Sequence, residues 1–76
     1  MSNCKEIGRN VKRLRKQAGL SQEQLAFEAG ISNSYLRRVE HGTANPTVHE
    51  LEKVAGALDV ALIDLVMVLG PAGAAL

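Results

Sequence analysis

Residues 21–42 read Ser21-Gln22-Glu23-Gln24-Leu25-Ala26-Phe27-Glu28-Ala29-Gly30-Ile31-Ser32-Asn33-Ser34-Tyr35-Leu36-Arg37-Arg38-Val39-Glu40-His41-Gly42, and this stretch decides the fold. Ser21 followed three residues later by Gln24 is a capping box: the serine covers the first backbone N–H groups and the glutamine reaches back. A helix is therefore predicted from about Gln22 to Glu28, with Leu25 and Ala26 inward. Gly30 ends it, since glycine accepts the left-handed backbone that a side chain resists. Ile31 plugs the corner, and Ser32 caps a second helix predicted over Asn33 to His41, closed by Gly42. In that second helix Leu36 and Val39 face inward, Tyr35 lies at the flank, and Asn33, Ser34, Arg37 and Arg38 form the polar face. Two short helices joined across Ala29-Gly30-Ile31 make a helix-turn-helix unit. Its small, apolar and glycine positions are all filled at the required spacing.

The chain on either side is also helical. Ile7, Val11, Leu14 and Ala18 recur at intervals of four and three, one face of a helix over about 5–18. Gly19 stops it and Leu20 covers its end. Downstream, Thr43-Ala44-Asn45-Pro46 is a loop held extended before proline. Thr47-Val48-His49-Glu50 is a second capping box, opening a helix with Val48, Leu51, Val54, Ala55 and Leu58 inward. A break at Asp59-Val60 leads to a last helix from Leu62 to Leu69, stopped by Gly70-Pro71. No window alternates with period two. The prediction is an all-α, five-helix domain spanning 1–76, with its core over about 5–69 and a flexible tail over 70–76.

Composition narrows the function. Seventy-six residues, 46% hydrophobic and 22% charged, suffice for one small domain whose core is marginal. Domains of this size draw support from disulfides, metals or partner chains. Cys4 is the only cysteine, and Cys4, His41 and His49 lack paired-ligand spacing. No disulfide, metal or cofactor is expected, which leaves oligomerisation. The apolar run from Val54 to Leu69 is broken by Asp59 and Asp64 and is too short for a membrane span. The N-terminus shows no apolar leader, so a soluble cytoplasmic protein is expected. No glycine-rich phosphate loop or nucleophile–base arrangement appears, and an enzyme is not expected. The net charge of +1 hides a polarity: +5 over residues 1–20, −1 over 21–45 and −3 over 46–76. One end can be steered toward a polyanion while the other stays free.

At this point the chain resembles the lambda-repressor-like, or Xre/Cro-type, helix-turn-helix transcription regulators. The resemblance rests on Ile7-Gly8 through Leu14-Arg15, Gly19-Leu20-Ser21-Gln22, Leu25-Ala26, Ala29-Gly30-Ile31-Ser32, Tyr35-Leu36, Val39-Glu40, Gly42, Asn45-Pro46 and Leu51, and covers about residues 5–69. It implies a compact five-helix domain whose second motif helix enters the DNA major groove. By position, Asn33, Ser34 and Arg38 are implied to meet base edges, where Asn suits adenine, Arg suits guanine and Ser either. Gln22, Ser32, Tyr35 and Arg37, with the loop Thr43-Ala44-Asn45, are implied at the DNA backbone or the edge of that surface. Arg15 and Glu40 are implied to form a structural ion pair. A net charge of +1 is low for a DNA-binding domain, and Ala61 stands where the family more often has a polar cap.

The last helix supplies the expected partner surface. Leu62, Ile63, Leu65, Val66, Met67 and Leu69 leave Asp64 as its polar interruption, and a helix apolar all round must be buried on more than one side. A symmetric homodimer through this helix is expected, reading a palindromic operator on double-stranded DNA, with no small-molecule ligand. Stand-alone proteins of this layout resemble phage repressors and the controller proteins of restriction–modification systems. The alternative reading is an antitoxin or adaptor-type protein-interaction module on the same fold. Phe27 is expected at the rim of the core or in an interface, and Cys4, His41 and His49 in incidental positions.

Overall fold

The computed structural model describes residues 4–67, which form five helices and no strand: α1 (Cys4–Gln17), α2 (Gln22–Ala29), α3 (Asn33–His41), α4 (Val48–Leu58) and α5 (Leu62–Val66). The boundaries follow the local chemistry. Ser21 Oγ accepts from Gln24 N at 3.0 Å while Gln24 Oε1 accepts from Ser21 N at 2.8 Å. Thr47 and Glu50 repeat the exchange at the head of α4, at 3.1 and 2.9 Å. Gly30 closes α2 in the left-handed conformation, φ 71°. At α5 Ala61 has no side-chain oxygen to offer, and of the side-chain exchange only the returning half remains, with Ala61 N donating to Asp64 Oδ2 at 3.0 Å.

The core draws on all five helices. Val11, Leu25, Leu36 and Leu65 are its fully enclosed side chains, each contributing about 1.5–3 kcal/mol from burial. Helix α1 packs mainly on α3, α2 on α4 and α3, and α5 on α1 and α4. The α1–α3 crossing is close because of Gly8. A Cβ there would stand against the carbonyl oxygens of Val39 and Glu40, nearer than real side chains come.

Several expectations are corrected. Cys4 belongs to the first turn of α1, and Ala18 lies beyond that helix and is exposed. Val48 is 61% exposed; it fits the α4 stripe by spacing but is the first residue of the helix, a turn ahead of Leu51, where the stripe enters the core. Phe27 is 86% exposed, which removes it from the rim of the core and leaves only the interface half of its expectation. Leu65, expected to face a partner, is fully enclosed in the chain's own core. Ile63 and Met67 remain exposed, and Leu62 and Val66 half-buried. The last helix ends at Val66, with Met67 already extended, short of the expected Leu69; Leu69 itself, the Gly70-Pro71 stop and the expected tail lie outside the described residues.

Candidate nucleic-acid interface

Helix α3 is held by its apolar side and presents its polar side. Ser32 Oγ accepts from Tyr35 N at 3.0 Å, fixing the first turn, and Leu36 and Val39 are buried. Ser34, Arg37, Arg38 and His41 are consequently exposed along one outer strip. Neither Arg37 nor Arg38 has a carboxylate within salt-bridge reach among the described residues. Asn33, at the first position of the helix, is half-buried. Its Oδ1 is enclosed and accepts no hydrogen bond, an arrangement that costs about 1–3 kcal/mol in a folded protein.

Arg15, Glu40 and Gln22 lock three helices together behind this strip. Arg15 Nε donates to Glu40 Oε2 at 2.7 Å and Nη2 to Oε1 at 3.2 Å. Its Nη1 donates to the carbonyl of Leu20 at 2.9 Å. Glu40 Oε1 also accepts from Gln22 Nε2 at 3.0 Å. The two charged side chains are only 10% and 3% exposed, so the guanidinium and carboxylate neutralise one another inside the fold. The Gln22 amide nitrogen is thereby directed at Glu40.

The remaining sequence-predicted residues divide by what holds them. Tyr35 is half-buried, and its hydroxyl donates to Glu50 Oε1 at 2.8 Å. Burial, then this bond and the Glu50 charge, raise the phenol above its ordinary 10.0, while Arg38 opposes the shift. The Glu50 carboxylate is held below its ordinary 4.5, first by the Thr47 backbone N–H and then by the Tyr35 hydroxyl. This contact ties α3 to the head of α4 across the intervening loop. In that loop Thr43 and Asn45 are exposed, whereas Ala44 is buried, so only its main chain is available to a ligand. Asn45 Oδ1 accepts from Cys4 Sγ at 3.7 Å. Ser32 keeps its hydroxyl on the helix cap.

Two residues given no role in the sequence reading fix the packing of α1, Gly8 against α3 and Asn10 against α5. Asn10 is a polar residue on the inner side of α1, next to Val11 and three residues from Ile7. That break in an apolar stripe is the pattern that marks a buried hydrogen-bonding group. Gly8 lies on the side shared by Val11 and Arg15, where only close helix approach explains a glycine in mid-helix. Among the described residues no group of side chains could hold a metal ion, and no helix is long and apolar enough to cross a membrane.

Residues 11–65 match the family model described as Helix-turn-helix. The protein y4dJ of Sinorhizobium fredii, named an uncharacterized HTH-type transcriptional regulator, is 44% identical over 66 residues, 87% of this chain and 86% of that one. The crystal structure of the restriction–modification controller protein C.AhdI from Aeromonas hydrophila superposes with a TM-score of 0.80 at 39% identity, covering 82% of this chain and 94% of that one. SinR, described as the master regulator for biofilm formation and solved in complex with DNA, superposes with a TM-score of 0.77 at 40% identity, covering 80% and 98% of the two chains. Other relatives are longer, and the chain spans 40% of SlrR and 51% of SinR of Bacillus subtilis. These relatives are named as regulators. With its five-helix architecture, its capped α2–α3 unit and a family match running from α1 into α5, the chain belongs to the lambda-repressor-like helix-turn-helix family of DNA-binding transcription regulators.

Proposed function

We propose that this protein recognises a specific double-stranded DNA sequence as a homodimer and controls transcription from it. The observation that carries the reading is the outer strip of α3, where Ser34, Arg37 and Arg38 are exposed and without a carboxylate partner, while the opposite side of the same helix is core. Arg38 is suited to the O6 and N7 acceptors of guanine, Asn33 to adenine, and Ser34 to either kind of edge. Arg37, Thr43, Asn45 and the main chain at Ala44 lie where backbone phosphates flank such a helix. The SinR–DNA complex, at 40% identity, supports the same use of the fold. The dimer reading rests on Ile63 and Met67, 56% and 47% exposed, beside half-buried Leu62 and Val66. Two copies related by a two-fold axis would set their recognition helices about 34 Å apart and read a palindrome.

Arg38→Ala tests the reading. Specific binding should weaken by about 1–3 kcal/mol and discrimination should relax at one base pair per half-site, with fold and dimer intact. A variant that keeps full discrimination would remove Arg38 from the base-reading surface. If DNA binding never involves α3 and only Met67→Asp disturbs the protein's associations, the surface that matters is a protein interface.

A further inference from the structure

The outer side of α5 carries one side chain unlike its neighbours. Leu62, Ile63 and Val66 end in inert hydrocarbon, whereas Met67 carries a thioether. The sequence has two methionines, Met1 and Met67, and Met67 is the one within the described residues. Its backbone is fixed on both sides. The N–H donates to the carbonyl of Ile63 at 3.0 Å, and the carbonyl accepts from Asn10 Nδ2 at 2.7 Å. The side chain is 47% exposed, one turn beyond Ile63, itself 56% exposed. A thioether so placed meets two conditions. It is open to a dissolved oxidant in the separate chain, and it lies on the surface assigned above to a second copy. Leucine would supply similar apolar volume without the reactivity. Oxidation turns this flexible apolar side chain into a polar, chiral sulfoxide, which a reductase can return to the thioether. The sulfoxide oxygen is an acceptor, and hydrocarbon neighbours such as Leu62, Ile63 and Val66 offer it no donor once water is excluded.

We infer that Met67 is a redox-modification site: a hydroperoxide converts its thioether to the sulfoxide in the separate chain, and the modified chain does not pair. The sulfur lone pair takes the outer oxygen of the peroxide, so that an S–O bond forms as the O–O bond breaks. Sulfur loses two electrons, and the proton of the transferred oxygen passes to the departing one, which leaves as water or an alcohol. The inference rests on the α5 dimer reading above and adds regulation to it. Pairing covers the thioether and protects it, and a chain oxidised while apart stays apart.

The test treats the full chain with hydrogen peroxide and locates the added oxygen by peptide mass. A Cys4→Ser background removes the other sulfur of the described residues, a free thiol. Sedimentation equilibrium should show pairing weakened by about tenfold for each buried sulfoxide, about a hundredfold per dimer, while circular dichroism stays that of a folded chain. Methionine sulfoxide reductase with a dithiol should restore pairing. Peroxide should leave the association of Met67→Leu wherever it started. The rate of Met67 oxidation should fall as protein concentration rises through the dissociation range, because only the separate chain offers the sulfur. An oxidised chain that pairs as tightly as the untreated one, while Met67→Asp gives monomers, overturns the inference and leaves the α5 dimer standing. A rate indifferent to protein concentration overturns it too, since the thioether would then lie outside the interface. Loss of the helical signal on oxidation also overturns it, because the sulfur would then support the fold. If wild type never pairs, or Met67→Asp pairs like wild type, the dimer reading fails and this inference falls with it.

Discussion

The side-chain amide of Asn10 on α1 donates to two carbonyls at the end of α5, Leu65 O at 2.8 Å and Met67 O at 2.7 Å. Its own Oδ1 accepts from Arg13 Nη2 at 3.4 Å. A helix of only five residues leaves most of its carbonyls without partners inside the helix, and α5 is that short. One buried asparagine thus fixes where the last described turn ends, and with it the orientation of Ile63 and Met67.

Asn10→Ala should therefore destabilise the domain by about 1–3 kcal/mol, because a buried carbonyl and a partly buried one lose their donor. It should also weaken self-association, since the exposed side of α5 is no longer held. Denaturant unfolding and sedimentation equilibrium measure the two effects. An unchanged midpoint would show that water replaces the amide freely.

The division of α5 into an inner and an outer side separates two substitutions that the sequence treats alike. Leu65→Asp places an uncompensated charge in the core and should abolish folding, while Met67→Asp should leave a folded monomer. Circular dichroism with size-exclusion chromatography distinguishes them. A Met67→Asp dimer as tight as wild type would move the interface elsewhere.

The orphaned Oδ1 of Asn33 makes an unusual prediction. Bidentate pairing with adenine needs this oxygen as an acceptor, so the amide must turn outward on binding, gaining a partner it lacks in the free chain. Asn33→Ala removes the unpaired buried acceptor. It should unfold no more easily than wild type, and up to about 1 kcal/mol less easily, while discrimination at one base pair falls by about 1–3 kcal/mol. Thermal melts and competition binding on single-base operator variants test both halves. A clear loss of stability would mean that the amide supports the fold.

The Tyr35–Glu50 bond predicts a pH dependence. Because Glu50 is held below 4.5 in the folded chain, its contribution to stability is present above that ordinary value and is lost as pH falls through the lower, folded-state value. Tyr35→Phe removes one of the donors that hold it down, so the carboxyl should titrate at higher pH and acid unfolding should begin earlier. Tyr35 itself is raised above 10.0; what it contributes is present below 10.0 and fades as pH rises through its folded-state value. A carbon-detected titration of the Glu50 carboxyl in both proteins would show the shift, and identical curves would sever the link between α3 and α4.

What the sequence made legible is what short-range chemistry determines. The capping boxes at Ser21 and Thr47 and the stop at Gly42 set the ends of α2, α3 and α4 to within a residue, because each cap is satisfied by neighbours in the chain. The outer strip of α3 followed from the same reasoning, since Leu36 and Val39 can only face inward. What stayed hidden depends on contacts between helices. Gly8 is explained only by carbonyls of α3, Asn10 only by carbonyls of α5, and the Tyr35 hydroxyl only by a carboxylate fifteen residues on. Leu65 and Met67 are equally apolar, and their separation into core and surface comes from α5 lying across α1 and α4. Phe27, expected at the rim of the core or in an interface, stands 86% exposed, and no contact in the structure explains it.

The central claim is that the outer strip of α3 reads DNA in a two-fold symmetric pair, and selection from a pool of random duplex DNA at moderate salt tests it most directly. The account predicts enrichment of a palindrome with half-sites one helical turn apart, lost or degenerate at one position per half-site for Arg38→Ala. A folded, self-associating protein that enriches no sequence would contradict it.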